Sequence, residues 1–146
     1  MRILAAYYTH KPGGFCRRLY RLLNALAAAG HEVIYLSLDP NLARLSSKVR
    51  AEKIPFPLSS RRGLIFWACF TLWLPIYLGW RALWLKPDRL LAFGSYYSRA
   101  FRFAKHVSKA ELVLFVRSLV FEIDRITGKP AWLRRFTERV IRFFKT

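Results

Sequence analysis

The sequence is poor in acidic residues, cysteine and histidine. Its 146 residues include eight Asp and Glu, two cysteines and three histidines. No pair of carboxylates stands out as a general acid and base, and no nucleophile lies in a recognisable constellation with histidine. Two cysteines do not make a disulfide framework, and no Cys and His spacing matches a metal site. The sequence therefore identifies no catalytic residues and no metal ligands.

We expect no secretory signal at the start of the chain. The apolar run from Ile3 to Tyr8 is too short for the hydrophobic region of a signal peptide, and His10 and Lys11 follow it directly. We therefore expect a reducing, cytoplasmic compartment. Hydrophobic residues make up 54% of the chain, so we expect one folded domain over 1–146 rather than a disordered chain.

The shortage of acids leaves a large positive charge. Twenty-six Lys and Arg against eight Asp and Glu give a net charge of +18. This charge exceeds what solubility requires, and it attracts nucleic acid or an anionic membrane surface. Because the sequence shows no RNA-binding aromatic motif, zinc-finger spacing or helix-turn-helix signature, nucleic acid is the weaker alternative.

The pattern from Arg2 to Ser37 is strand, glycine turn, helix, strand. Leucine recurs at helical spacing over residues 19–26, and Gly30 stands where a helix C-cap favours glycine. Val33 to Leu36 is typical of a buried strand. A helix between two strands predicts a parallel pair with a right-handed crossover. We therefore predict an α/β fold, a Rossmann-like parallel sheet with helices on both faces.

The rest of the predicted sheet is less regular. Residues 41–52 predict a short basic helix, and 54–58 can form only a short or edge strand because Pro55 and Pro57 lack N–H donors. Strands are predicted at 88–93 and 111–116. Between them we predict a helix to about Val107, with Ser95 or Ser98 as its N-cap.

Ligands of such sheets bind beyond the carboxyl ends of the strands. Gly13 and Gly14 follow the first strand and open a helix, so they could face a donor phosphate, or they could simply make a tight turn. Ser95 and Tyr96 follow a later strand at the same edge. Ser95 could cap its helix or contact a ligand, and Tyr96 could line a sugar site or pack internally.

Arg117 and Ser118 end the last predicted strand at this ligand-binding edge. An arginine there could hold a phosphate through two hydrogen bonds. It could equally be an ion-pair partner for Glu122 or Asp124. Both interpretations stay open.

Several of these motifs, taken in order, resemble the N-terminal domain of GT-B fold glycosyltransferases of the family 4 type. The resemblance rests on Arg2-Ile3-Leu4, Pro12-Gly13-Gly14, Gly30-His31-Glu32-Val33 and Lys86-Pro87-Asp88, and it covers essentially the whole chain. Relatives commonly carry a histidine where this chain has Arg117, which leaves that residue without a counterpart.

The resemblance implies the acceptor-binding half of an enzyme that transfers a sugar from a nucleotide-sugar to a lipid-linked or glycan acceptor, with retention of configuration. It implies a further strand and a C-terminal donor-binding domain or partner subunit, and the chain stops before them. We therefore expect a domain incomplete at its C-terminus, whether fragment or complete protein, which binds no cofactor and is inactive alone. The alternative is a non-catalytic membrane-surface adaptor.

Residues 63–85 predict a hydrophobic aromatic helix with no charge from Leu64 to Trp80. Residues 66, 70, 73, 77, 80 and 84 form an aromatic stripe at helical spacing. The helix could pack on the sheet, lie in a membrane interface or span a membrane. We expect one face on the sheet and the other in the interface, on the inner face of the membrane. The candidate contacts are Trp67, Trp73, Tyr77, Trp80, Trp84, Arg61, Arg62 and Arg81.

A second amphipathic helix is predicted from Trp132 to Lys145. Arginines line one of its faces, and they are either a solvated surface over a core stripe or a second membrane contact. The candidate contacts here are Arg135, Arg139 and Arg142.

Overall fold

The computed structural model describes residues 1–7, 14–40, 44–58 and 63–115. Strands and helices follow one another over these ranges. Their bounds are β1 (Arg2–Ala6), α1 (Gly14–Ala28), β2 (Glu32–Ser37), β3 (Val49–Lys53), α2 (Leu64–Leu85), β4 (Arg89–Phe93), α3 (Ser95–Ser108) and β5 (Glu111–Phe115). The predicted helix at 132–145 lies outside the described residues.

The strands form one parallel sheet in the order β3-β2-β1-β4-β5. Ile3 of β1 lies opposite Val33 of β2 on one side and Arg89 of β4 on the other. The chain therefore adds β2 and β3 on one side of β1, and then returns to add β4 and β5 on the other side. Sheets of this order bind ligands in the crevice where the direction of winding reverses, which here lies between β1 and β4.

Each face of the sheet is covered by its own hydrophobic core. Leu4 and Ala6 point to the face that packs against α2 and α3. Ile3 and Ala5, which alternate with them, point to the face that packs against α1. Strands buried on both faces read as continuous apolar runs. The predicted α/β Rossmann-like fold, with helices on both faces of a parallel sheet, is confirmed.

The end of α1 shows the glycine cap that the sequence predicts. Gly30 has a φ of +84°, which side chains other than glycine rarely adopt. The His31 N–H donates to the Leu26 carbonyl at 3.1 Å, and the Gly30 N–H donates to the Ala27 carbonyl at 3.2 Å. These bonds satisfy carbonyls at the helix end and turn the chain into β2.

The prediction for residues 41–58 is wrong in two places. Val49–Lys53, expected at the end of a helix, is strand β3, and 54–58 forms no strand. β3 pairs with β2 alone and is an edge strand of the sheet. An edge strand tolerates polar side chains such as Arg50 and Glu52, and the resulting polar sequence resembles that of a surface helix. The Ile54 N–H still donates to the Ser37 carbonyl at 2.8 Å, and Pro55 then removes the next donor.

The predicted serine cap of α3 is also wrong. Gly94 is the N-cap, with a φ of +86°, and no side chain caps the helix. Ser98 lies one turn inside α3 and is buried, and its N–H donates to the Gly94 carbonyl at 3.2 Å. A left-handed residue at this position favours glycine over serine.

Candidate functional site

Aromatic rings gather at the carboxyl ends of β1 and β4, where the winding of the sheet reverses. Tyr7 follows β1, and its ring centroid lies 6.2 Å from Phe93 at the end of β4. The same ring lies 5.4 Å from Tyr97 of α3. The Tyr7 N–H donates to the Leu36 carbonyl at 3.1 Å, which continues the β1–β2 pairing past the last strand residue. This crevice therefore has an aromatic floor held by sheet hydrogen bonds.

Two helices begin at this edge of the sheet. Gly14 is the first residue of α1, and Ser95 is the first residue of α3. Helix N-termini present free backbone N–H groups that favour anionic ligands. The structure thus places Gly14 and the Ser95 backbone at the predicted edge, whereas Gly13, Arg117 and Ser118 lie outside the described residues.

Tyr96, also predicted here, connects the crevice to α2. Its hydroxyl lies 3.0 Å from the Thr71 hydroxyl, and the Thr71 hydroxyl donates to the Trp67 carbonyl at 2.6 Å. Either hydroxyl could be the donor in the first of these bonds. Burial raises the pKa of Tyr96 above its ordinary value, and the hydrogen bond to Thr71 opposes part of that rise.

Thr71 is a site residue that the sequence reading missed. It is the only Ser or Thr in the uncharged run from Leu64 to Trp80. Ser and Thr hydroxyls inside helices commonly bond the carbonyl four residues earlier, as Thr71 does, so the sequence contained no signal for a second partner. Its partner Tyr96 comes from α3, so only the tertiary structure identifies the pair.

Helix α2 buries one face and exposes another that is also apolar. Phe66, Phe70, Leu74 and Leu78 lie in the core. The opposite surface, called here the α2 outer face, consists of Leu64, Ile65, Cys69, Leu72, Ile76, Trp80, Leu83 and Trp84. Trp67, although 42% exposed, lies on the side of the helix that carries Phe70 and Leu74. Surface helices normally place charge on the solvent side. The α2 outer face has none over 22 residues, a length of about 33 Å.

Arg81, the one charged residue within α2, is turned away from the solvent. Its side chain is 12% exposed and forms an ion pair with Glu52 of β3. Glu52 also pairs with Arg50 at 2.7 Å. Burial raises the pKa of Tyr77, which lies beside this pair. The positive charge of Arg81 lowers that pKa, and the negative charge of Glu52 raises it. Arg81 is one of the predicted membrane contacts, and in the structure it is mostly enclosed and paired with Glu52.

The predicted aromatic stripe is divided between the core and the surface. Tyr77 is buried, and Trp73 is half-buried and stacks on it at 4.7 Å between centroids. Trp80 and Trp84 are 53% and 75% exposed. Phe66 and Trp84 lie five helical turns apart and so on the same side of α2, but Phe66 is buried and Trp84 is exposed. The exposure therefore depends on what each end of α2 packs against. Of the predicted contacts, Trp67, Trp80 and Trp84 lie at the surface.

The other predicted membrane contacts, Arg61, Arg62, Arg135, Arg139 and Arg142, lie outside the described residues. By length and composition, α2 could cross a membrane, but a third of its most apolar window is buried in the protein. β3 and β4, which flank α2 in sequence, belong to the same sheet. A single span through α2 would place these two strands on opposite sides of a membrane, which does not fit one shared sheet.

Helices α2 and α3 approach closely at Gly79. A Cβ added to Gly79 would collide with the Cδ1 and Cε1 atoms of the Phe103 ring. Phe103 is itself about half exposed. Glycine at this point lets the two helices pack together on one face of the sheet.

The part of the chain that the structure describes contains no group of three or more His, Cys, Asp or Glu that could hold a metal ion. Among the described residues at the crevice, Tyr96 and the two helix N-termini supply hydroxyl and backbone N–H groups for hydrogen bonding.

Comparison with known proteins supports the fold. No family model matches the chain, and no curated protein matches it. Among solved structures, the chain is similar to the C-terminal domain of a hydrogenase from Pyrococcus furiosus, with a TM-score of 0.53 and 17% identity over 79% of this chain and 91% of that one. At this identity the likeness concerns the fold alone, and it places the chain in the α/β Rossmann-like class.

Proposed function

We propose that this chain is the acceptor-binding, membrane-docking half of a glycosyltransferase. The complete enzyme would transfer a sugar from a nucleotide-sugar to a lipid-linked or glycan acceptor. The observation that carries the proposal is that α2, which presents the uncharged outer face, packs against α3, the helix that begins at the crevice between β1 and β4. Trp67, near the start of α2, lies 6.0 Å, ring to ring, from Tyr96 at the start of α3.

A lipid-linked acceptor suits this arrangement because it is apolar at one end and polar at the other. The α2 outer face would lie in the membrane interface, where exposed tryptophans are favoured. The head group would then meet Tyr96 and Thr71, whose hydroxyls join the start of α3 to α2. The positive charge of the chain, +18, favours the anionic cytoplasmic leaflet, as a peripheral protein.

The resemblance in the sequence supports the assignment to glycosyl transfer. In that interpretation the donor nucleotide-sugar is held by a C-terminal domain or a partner subunit. The chain alone then lacks the groups that cleave the donor bond. We expect no hydrolysis or transfer when the purified chain is incubated with nucleotide-sugars. Turnover by the chain alone would contradict the proposal that another domain or subunit binds the donor.

Membrane docking is tested by placing a charge on the α2 outer face. Ile76 is 65% exposed there, and Ile76→Glu removes its apolar contact and adds a carboxylate to the interface. Full burial of such a side chain is worth about 1.5–3 kcal/mol, so we expect roughly tenfold weaker binding or more. The measurement is co-sedimentation with vesicles that contain anionic phospholipid.

The matched control is Ala25→Glu on α1. Ala25 is exposed, and the substitution changes the net charge by the same amount on the other side of the sheet. We expect Ala25→Glu to bind vesicles almost as well as the unmodified chain. Equal losses in both variants would mean that net charge alone drives binding, and the proposal would fail. Vesicle binding without any acceptor recognition would favour the non-catalytic adaptor.

A further inference from the structure

A second polar feature lies on the α1 side of the sheet. An open cavity of about 320 Å³ is lined by Arg17, Tyr20, Arg21, Asn24 and Arg44. The four residues from α1 are spaced by three and four positions, so they share one face of the helix. Cavities that bind small molecules typically begin at about 300 Å³, so this one can hold more than a single ion.

Asn24 brings the third arginine to the cavity. Its side-chain N–H donates to the Arg44 carbonyl at 3.0 Å, and its carbonyl accepts from the Ser46 N–H at 2.8 Å. These two bonds attach the segment before β3 to α1. Arg44 is therefore held beside Arg17 and Arg21 although it lies twenty or more residues away in the chain.

The arginines meet without a compensating acid. Among the described residues, no carboxylate forms an ion pair with Arg17, Arg21 or Arg44. Helix α1 has no acidic residue in its first turn, and cations near a helix N-terminus oppose the helix dipole. Like charges at positions i and i+4 also repel. A bound anion would relieve both unfavourable interactions.

We propose that this cavity binds the phosphate group of a soluble phosphorylated molecule. Arginine side chains bind phosphate through paired, charge-assisted hydrogen bonds, and three of them converge here. The cavity lies on the α1 face of the sheet, whereas α2 covers the opposite face. If the α2 outer face meets a membrane, the cavity faces the aqueous side. The phosphate site itself does not depend on the membrane role of α2.

The test is calorimetric titration of the full chain with inorganic phosphate and pyrophosphate at constant ionic strength. We expect saturable binding, with Arg21→Gln or Arg44→Gln weakening it about tenfold, because each removes a charge-assisted contact. The matched control is Arg18→Gln, which removes the same charge from an exposed position of α1 outside the cavity. We expect the control to stay within about twofold of the unmodified chain.

A second variant tests the positioning role of Asn24. Asn24→Ala should weaken phosphate binding because Arg44 is no longer held in place. Combined with Arg44→Gln, it should add almost nothing, because both changes remove the same contact. Additive losses would show that Asn24 acts only through stability.

Three results would overturn the proposal. The first is the absence of saturable phosphate or pyrophosphate binding by a chain whose circular dichroism shows it to be folded. The second is an equal loss of affinity in Arg18→Gln and Arg21→Gln, which would indicate general charge attraction. The third is a loss of binding to anionic vesicles in Arg21→Gln but not Arg18→Gln, which would assign the cavity to lipid phosphate rather than a soluble molecule.

Discussion

The ion pair between Glu52 and Arg81 should contribute more to stability than the other ion pairs of the sheet. Its side chains are 24% and 12% exposed. The Arg2–Glu32 pair, at 2.7 Å, has side chains 41% and 50% exposed. Breaking a fully buried pair costs about 3–5 kcal/mol, whereas an exposed pair contributes about 0–1 kcal/mol. The partly buried position of the first pair places it between these limits.

We therefore expect Glu52→Gln to lower the free energy of unfolding by about 2 kcal/mol, since it leaves Arg81 largely enclosed without a carboxylate. Glu32→Gln is the matched control, and it should cost less than about 1 kcal/mol. Arg2 would still donate to the Leu85 carbonyl, 2.5 Å away. The measurement is urea unfolding followed by tryptophan fluorescence, with the slope m compared between variants.

The pKa of Tyr77 gives a second readout of the same substitution. Burial raises this pKa, and Arg81 and Glu52 act on it in opposite directions. Without Glu52, Arg81 acts unopposed and the Tyr77 pKa should fall. Equal stability losses in the two variants, or an unchanged Tyr77 titration in Glu52→Gln, would refute the conclusion that Arg81 is held inside by Glu52.

Two further predictions concern the contacts of α2. Gly79→Val should lower stability by about 1–3 kcal/mol because the new side chain meets the Phe103 ring. Adding Phe103→Ala to the same chain should restore most of the loss. If thermal unfolding shows instead that the two substitutions lower stability additively, the contact is contradicted. Stability should also fall as the pH rises above about 10, the ordinary tyrosine pKa. Burial raises the folded-state pKa of Tyr96, so the unfolded chain releases its proton first. Tyr96→Phe should reduce this alkaline loss in urea unfolding at two pH values, and an unchanged loss would show that Tyr96 is not its source.

The sheet could be predicted from the sequence where its strands are buried. β1, β2 and β4 are apolar runs because both of their faces are covered, and Gly30 marks the helix end through its backbone conformation. The sequence did not predict β3 because an edge strand of the sheet needs few apolar residues. The cap of α3 was missed because backbone geometry at Gly94, rather than a serine side chain, makes the turn.

The candidate site was predicted only in part, since its contacts are tertiary. The edge that holds Gly14, Ser95 and Tyr96 follows from strand and helix order alone. The bond between Thr71 and Tyr96 joins two helices, and the arginine cavity depends on Asn24 holding a segment about twenty residues away. Which tryptophans face outward depends on how α2 packs against α3. Patterns within one element do not contain that information.

The most direct test of membrane docking uses the native Cys69. It is exposed on the α2 outer face, whereas the other cysteine, Cys16, is buried, so a thiol-reactive environment-sensitive fluorophore should label Cys69 selectively. On addition of anionic vesicles, we predict a blue shift of the emission and quenching by brominated lipid. Vesicle binding that leaves the emission of this fluorophore unchanged would contradict the proposal that the α2 outer face meets the membrane.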